Sequence, residues 1–176
     1  EVLTATFEKF APEGSQVTAA PYPVISYKEA MLKYGTDKPD LRNPLEIVDV
    51  TDFFQRCTFE PFHGKTVRAV NVHQQMSKKF HKKFEEFAKK IGMGGLGYLQ
   101  VQDDMTYKGP IDKFIPDDMK QEIADIAGLQ AGDTIFFICD KEKQAALFAG
   151  QIRTELGNRL DLLEKNAYRF CFINDF

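Results

Sequence analysis

Phe80, Phe84, Phe87 and Ile91 recur at i, i+4, i+7 and i+11, and no other feature constrains this chain more tightly. At 3.6 residues per turn that spacing draws one apolar stripe along a cylinder, so residues 78–91 are predicted as an α-helix that must bury one side. Ser77 stands where an N-cap belongs, and Gly92 with Gly94–Gly95 stops the helix. Strand-like segments flank it on both sides. TVRAVNV (66–72) alternates small apolar with polar residues, as a half-buried strand does, and LGYLQVQ (96–102) resumes as a strand.

Other segments follow the same logic. Thr134–Asp140 (TIFFICD) is a continuous apolar run behind the turn signals Gly128 and Gly132, which predicts a central strand. LEIVDV (45–50) is a further strand, and Thr51/Asp52 are expected to cap a turn holding Phe53 and Phe54. Pro116-Asp117-Asp118 opens a helix over 117–127, with Met119, Ile123 and Ile126 on its buried side. Asp140 is expected to cap a third helix over 141–155, and YRFCFI (168–173) ends the chain as a strand. Upstream, residues 1–20 have only a frayed helical piece and a polar loop. Ser26 and Glu29 then form a capping box for YKEAMLKY, which Gly35 ends. The order mixes strands and helices with no βαβ repeat. The prediction is an α+β fold of two layers, helices on one face of a mainly antiparallel sheet.

Composition narrows the functional classes. A net charge of −3 argues against a protein that binds nucleic acid through bulk positive charge, though not against a local basic face. No apolar run approaches the roughly 20 residues of a membrane span, and the N-terminus lacks the basic and apolar regions of a signal peptide. Opening on Glu1 rather than methionine, the chain is expected to be part of a longer polypeptide. Cys57, Cys139 and Cys171 are odd in number and scattered, which fits reduced thiols in a cytoplasmic protein better than a disulfide frame. Sixteen Phe with no Trp implies a Phe-rich core.

Two clusters have chemistry to offer. YGTDKPDLR (34–42) packs Asp37, Lys38, Asp40 and Arg42 closely around Pro39. An extended backbone would put Lys38, Asp40 and Arg42 on one side, with Arg42 suited to bidentate contact with a carboxylate or phosphate. The plainer alternative is a self-paired ion network that orders the segment. SKKFHKKFEEFAKK carries Lys78, Lys79, Lys82, Lys83, Lys89 and Lys90 against Glu85 and Glu86, so its solvent side is net positive. Contact with an RNA backbone would use that charge, and an ordinary exposed face with Lys/Glu pairs would not need it. His63, His73 and His81 lie at no metal-ligand spacing, so no metal site is expected. IGMGGLG (91–97) follows a helix and precedes a strand, the reverse of a phosphate loop. No catalytic set can be assembled from the sequence.

YKEAMLKYGTDKPDLRNPLEIVDVTDFF (27–54) resembles a stretch of bacterial-type aspartyl-tRNA synthetases, running from a catalytic-domain helix into their inserted GAD domain. FAKKIGMGGLGYLQV, GPIDKF, LQAGDTIFFICDK, ELGNRL and YRFCFINDF extend the likeness over about residues 22–176. Departures are Thr36, where Ser is usual, and Phe172, where Trp is expected. The resemblance implies a GAD, DCoH-like fold at 43–160, with 1–42 flanking it from the catalytic-domain side and 161–176 as a return strand. It implies a parent enzyme that joins aspartate to tRNA(Asp) with ATP and Mg2+ through aspartyl-adenylate, as a homodimer. The catalytic motifs of that parent have no counterpart here, so this stretch is expected to be non-catalytic and to partner the rest of the catalytic domain. Lys78, Lys79, Lys82 and Lys83 are then the candidates for tRNA contact. Asp37, Lys38, Asp40 and Arg42 would order the junction. A GAD domain of a tRNA-dependent amidotransferase subunit, or a purely structural module, are the alternatives.

Overall fold

The computed structural model describes residues 2–176. In chain order the elements are α1 (Val2–Phe10), β1 (Gln16–Val17), β2 (Val24–Ser26), α2 (Tyr27–Lys33), β3 (Ile47–Asp49), α3 (Thr51–Arg56), β4 (Thr66–Val72) and α4 (Lys78–Lys90). There follow β5 (Gly97–Val101), β6 (Tyr107–Lys108), α5 (Lys120–Ala127), β7 (Thr134–Asp140), α6 (Glu142–Arg159), β8 (Ala167–Tyr168) and β9 (Phe172–Asn174). Short 3-10 turns lie at Glu60–Phe62, Asp112–Phe114 and Asp117–Met119, the last leading into α5.

Strand β7 organises the molecule. It pairs with β4 along its full length, from Thr66 opposite Asp140 to Val72 opposite Thr134, and with β5 on its other edge. The sheet runs β3-β4-β7-β5-β6, every neighbouring pair antiparallel, so the α+β class with an antiparallel sheet holds.

The expectation of helices on one face needs correction. Ile135 and Phe137 point into a core closed by α3 and α5, whereas Phe136 and Ile138 point into a second core closed by α4 and α6. The reason is legible in TIFFICD itself. A strand apolar at every position exposes a hydrophobic surface on both sides, and each must be removed from water. The two long helices do share one face; the shorter helices and the 3-10 turn at Glu60–Phe62 roof the other.

Four further expectations need correction. β4 is not half-buried, since Arg68 on it is 7% exposed and pairs with Asp49 on β3. In α5, Ile123 and Ala124 face the core while Ile126 is exposed. Helix α6 runs to Arg159, beyond the expected 155, and begins one residue after Lys141, so Asp140 does not cap it but accepts from the Lys141 amide at 2.7 Å. The last strand divides in two: β8 pairs in parallel with β1, and β9 with β2, outside the five-stranded sheet.

The stripe of α4 behaves as its spacing requires. Phe84 and Ala88 are fully buried, with Phe80, Phe87 and Ile91 partly so, and the Arg159 guanidinium lies 5.6 Å and 5.5 Å over the Phe84 and Phe87 rings. Helices α4 and α6 thus close one core from two sides.

Candidate functional site

Burying that stripe leaves the opposite side of α4 to solvent, and the lysines occupy it. Ser77 caps the helix by accepting from the Phe80 amide at 3.1 Å. Lys78, Lys79, Lys82 and Lys83 are all exposed, and none forms an ion pair among the described residues. Lys89, further along, pairs with Glu85 at 2.7 Å. No acidic residue stands in the first turn. Cations near a helix N-terminus oppose its macrodipole, at roughly 0.3–1 kcal/mol for an exposed charge in the first turn. The arrangement therefore does nothing for the helix, while it concentrates positive charge where backbone amides also point outward.

The 34–42 cluster resolves as the self-paired alternative. Lys38 Nζ meets both Asp37 carboxylate oxygens at 3.2 and 3.0 Å, and Arg42 grips Asp40 through Nε at 2.9 Å and Nη2 at 2.7 Å. The Arg42 hydrogen bonds hold the Asp40 carboxyl below the usual carboxylate range. Lys38, Asp40 and Arg42 do not line one side of an extended strand. The chain bends through 35–38 and turns at 41–42, which lets neighbours in sequence pair.

What holds this segment is a residue that the sequence did not flag. Arg153 on α6 is 1% exposed and forms no ion pair among the described residues. Its Nε donates to Leu45 O at 2.5 Å, its Nη2 to Asn43 O at 2.7 Å and Asp40 O at 3.1 Å, and its guanidinium lies 4.8 Å over the Tyr34 ring. Asn43 replies by donating to Arg153 O at 3.0 Å. Close approach completes the joint: a Cβ on Gly150 would fall 2.7 Å from Gly35 O, and one on Gly157 would fall 2.3 Å from Asn43 Nδ2. Glycines at 150 and 157 beside Arg153 were the available signal, a helix face stripped of side chains so that a backbone can lie on it.

His63 and His81 are engaged within the fold. His63 Nε2 lies 2.7 Å from Cys57 O, and His81 stacks on Tyr98 with centroids 3.7 Å apart; burial lowers the His81 pKa. Among the described residues no group of three His, Cys, Asp or Glu side chains could hold a metal ion. Burial pushes the thiols of all three cysteines up, Cys57 to about 11. At pH 8 roughly one Cys57 in a thousand is then a thiolate. Iodoacetamide is expected to label Cys57 only after denaturant is added. Native labelling at the rate of a free thiol, read by mass spectrometry, would contradict this.

The chain thus combines an antiparallel sheet covered on both faces, a lysine-lined helix and an adjoining segment clamped onto α6. The model of the GAD domain matches residues 60–148, and the chain belongs to that family. Over 99% of its length it is 43% identical to the aspartate–tRNA(Asp/Asn) ligase of Anaplasma phagocytophilum, and 44% identical to that of Ehrlichia canis. Over 100% of its length it is 43% identical to the corresponding ligase of Wolbachia pipientis wMel. The chain spans about 30% of the length of these curated relatives.

Proposed function

We propose that this chain is the GAD-bearing segment of an aspartate–tRNA ligase, itself non-catalytic, which lends a basic helix to the tRNA on its acceptor side. The observation that carries the RNA contact is the set of four exposed, unpaired lysines on the first two turns of α4. The identity of the parent rests on similarity along essentially the whole chain to ligases of that name. The parent would attach aspartate to tRNA(Asp) in the cytoplasm, as a homodimer, using ATP and Mg2+ through aspartyl-adenylate. No residue of this chain is assigned to that chemistry. The segment clamped by Arg153 would order the junction with the rest of the catalytic domain, the partner in which aminoacylation takes place.

Titration with cognate tRNA at several salt concentrations tests the RNA contact. Affinity is expected to fall with salt, and Lys78→Gln with Lys79→Gln to reduce the logarithmic salt slope by about one for each phosphate no longer neutralised. A slope unchanged by these substitutions, or no binding at low salt, would leave the module a purely structural role.

A further inference from the structure

A cleft of about 590 Å³ opens where β3 and β4 meet the C-terminal end of α5, with Leu45, Val48, Ala127 and Leu162 among its apolar walls. Its polar wall is organised by one buried carboxylate. Asp133 is 2% exposed and accepts from Asn71 Nδ2 at 2.7 Å, His73 Nδ1 at 3.0 Å and the Gln130 amide at 2.9 Å.

An ionised carboxylate only accepts, so these contacts settle the orientation of both side chains. The Asn71 amide must present Nδ2 to Asp133, which leaves its Oδ1 buried and without a donor. His73 must carry its proton on Nδ1, so in the neutral ring Nε2 is a second acceptor, and the side chain is 68% exposed. Glu46 also lines the cleft. The exposed Nε2 acceptor and the Glu46 carboxylate favour a ligand edge rich in N–H or O–H donors.

From this cleft the chain passes directly to the lysines. Residues 73–77 form the loop from β4 into α4, and five residues reach at most about 18 Å. A phosphate-binding helix end and a donor-selecting cleft therefore lie within one short strand of each other. Phosphate contacts position a nucleic acid, whereas unstacked bases and ribose hydroxyls are what acceptors of this kind discriminate.

We infer that the His73–Asn71–Asp133 cleft is a nucleotide subsite, receiving one unstacked ribonucleotide of an RNA strand whose backbone lies on α4. This extends the RNA contact proposed above, and rests on it. His73 Nε2 accepts from the exocyclic amine of the base or from the 2′-hydroxyl, Asp133 holds the imidazole in place, and the apolar walls cover the face of the base.

The test titrates the whole chain with short single-stranded RNAs of different base composition, and their DNA counterparts, at several salt concentrations. One composition, or RNA over DNA, should be preferred by roughly 5- to 100-fold. His73→Ala, at an exposed position and so compatible with folding, should abolish that preference while leaving the salt slope intact. Lys78→Gln with Lys79→Gln should lower the slope and keep the preference. A preference for amine-bearing bases assigns the base edge, and a preference for RNA over DNA assigns the ribose. Absence of any preference, or one that survives His73→Ala, overturns the subsite while leaving the lysine contact standing. If no oligonucleotide binds at all, α4 is not an RNA surface. Ribonucleoside monophosphates then decide the cleft alone: a shift of the His73 imidazole resonances on titration supports it, and unmoved resonances overturn it.

Discussion

Arg153→Met is expected to destabilise the chain by roughly 3–5 kcal/mol, through the acceptors it abandons rather than the volume it removes. Methionine fills much of the arginine stem but donates nothing. Leu45 O, Asn43 O and Asp40 O would lose the guanidinium that pairs them, two of them in fully buried bonds. A hydrogen bond to a charged group contributes about 1.5–3 kcal/mol, and stranding its buried partner costs a comparable desolvation penalty. Burial also presses on the wild-type arginine, lowering its pKa, with Tyr34 and Asp40 acting against that pressure. Lysine is a poor substitute because a single ammonium cannot span carbonyls that the planar guanidinium reaches from different nitrogens. Urea unfolding followed by circular dichroism measures the effect, since the chain has no Trp to report by fluorescence. An Arg153→Met midpoint within about 0.3 M of wild type, less than about 1 kcal/mol at a slope of roughly 1–3 kcal/mol/M, would show that this buried fork is dispensable. Hydrogen exchange adds a local readout: the Leu45 amide, which donates to Asn43 Oδ1 at 3.0 Å, should lose protection early.

Gly35→Ala should cost roughly 2–4 kcal/mol, and Gly14→Ala supplies its control. Both glycines have positive φ, +67° and +82°, so alanine pays a left-handed penalty of about 1 kcal/mol or more at either site. They differ in surroundings. A Cβ at Gly14 meets nothing within 4 Å, whereas one at Gly35 would sit 2.3 Å from Ala146 O and 2.6 Å from Gly150 N. Those are backbone atoms of α6 and cannot swing aside, so the segment after α2 must lift off the helix. The difference between the two variants isolates the cost of that separation. Equal destabilisation of both would mean the close approach of Gly35 to α6 contributes nothing to the joint.

Much of the fold was legible in the sequence, for reasons that can be named. Residues 66–72 and 134–140 form strands at the expected bounds because each is an apolar or alternating run with turn residues at its ends. Helix α4 follows from four apolar side chains at helical spacing. Ser77 and Ser26 cap their helices as expected, the latter accepting from the Glu29 amide at 3.2 Å. Glu29, however, pairs with Lys33 at 2.8 Å, an i,i+4 contact that draws its carboxylate along the helix. The exposure of Lys78, Lys79, Lys82 and Lys83 was also legible, because charge left over on an amphipathic helix can only face water.

Other features depend on distant parts of the chain. Helix α6 outruns its expected end because Gly157, an ordinary stop signal, is held in the helix beside Asn43, more than a hundred residues earlier in the chain. The terminal apolar run becomes two short strands because β1 and β2 offer it separate edges. His73 looked like an isolated histidine until the fold set Asp133 beside it.

Local spacing determined the helices, the strands and which side of each must be buried, since periodicity is a property of neighbours along the chain. Tertiary structure alone decided which buried polar group meets which: Arg153 with the carbonyls of 40–45, and Asp133 with His73 and Asn71. Desolvation makes an unpaired buried group costly wherever it lies in the sequence, and the partner that relieves it is fixed only when the sheet and helices have brought remote segments together.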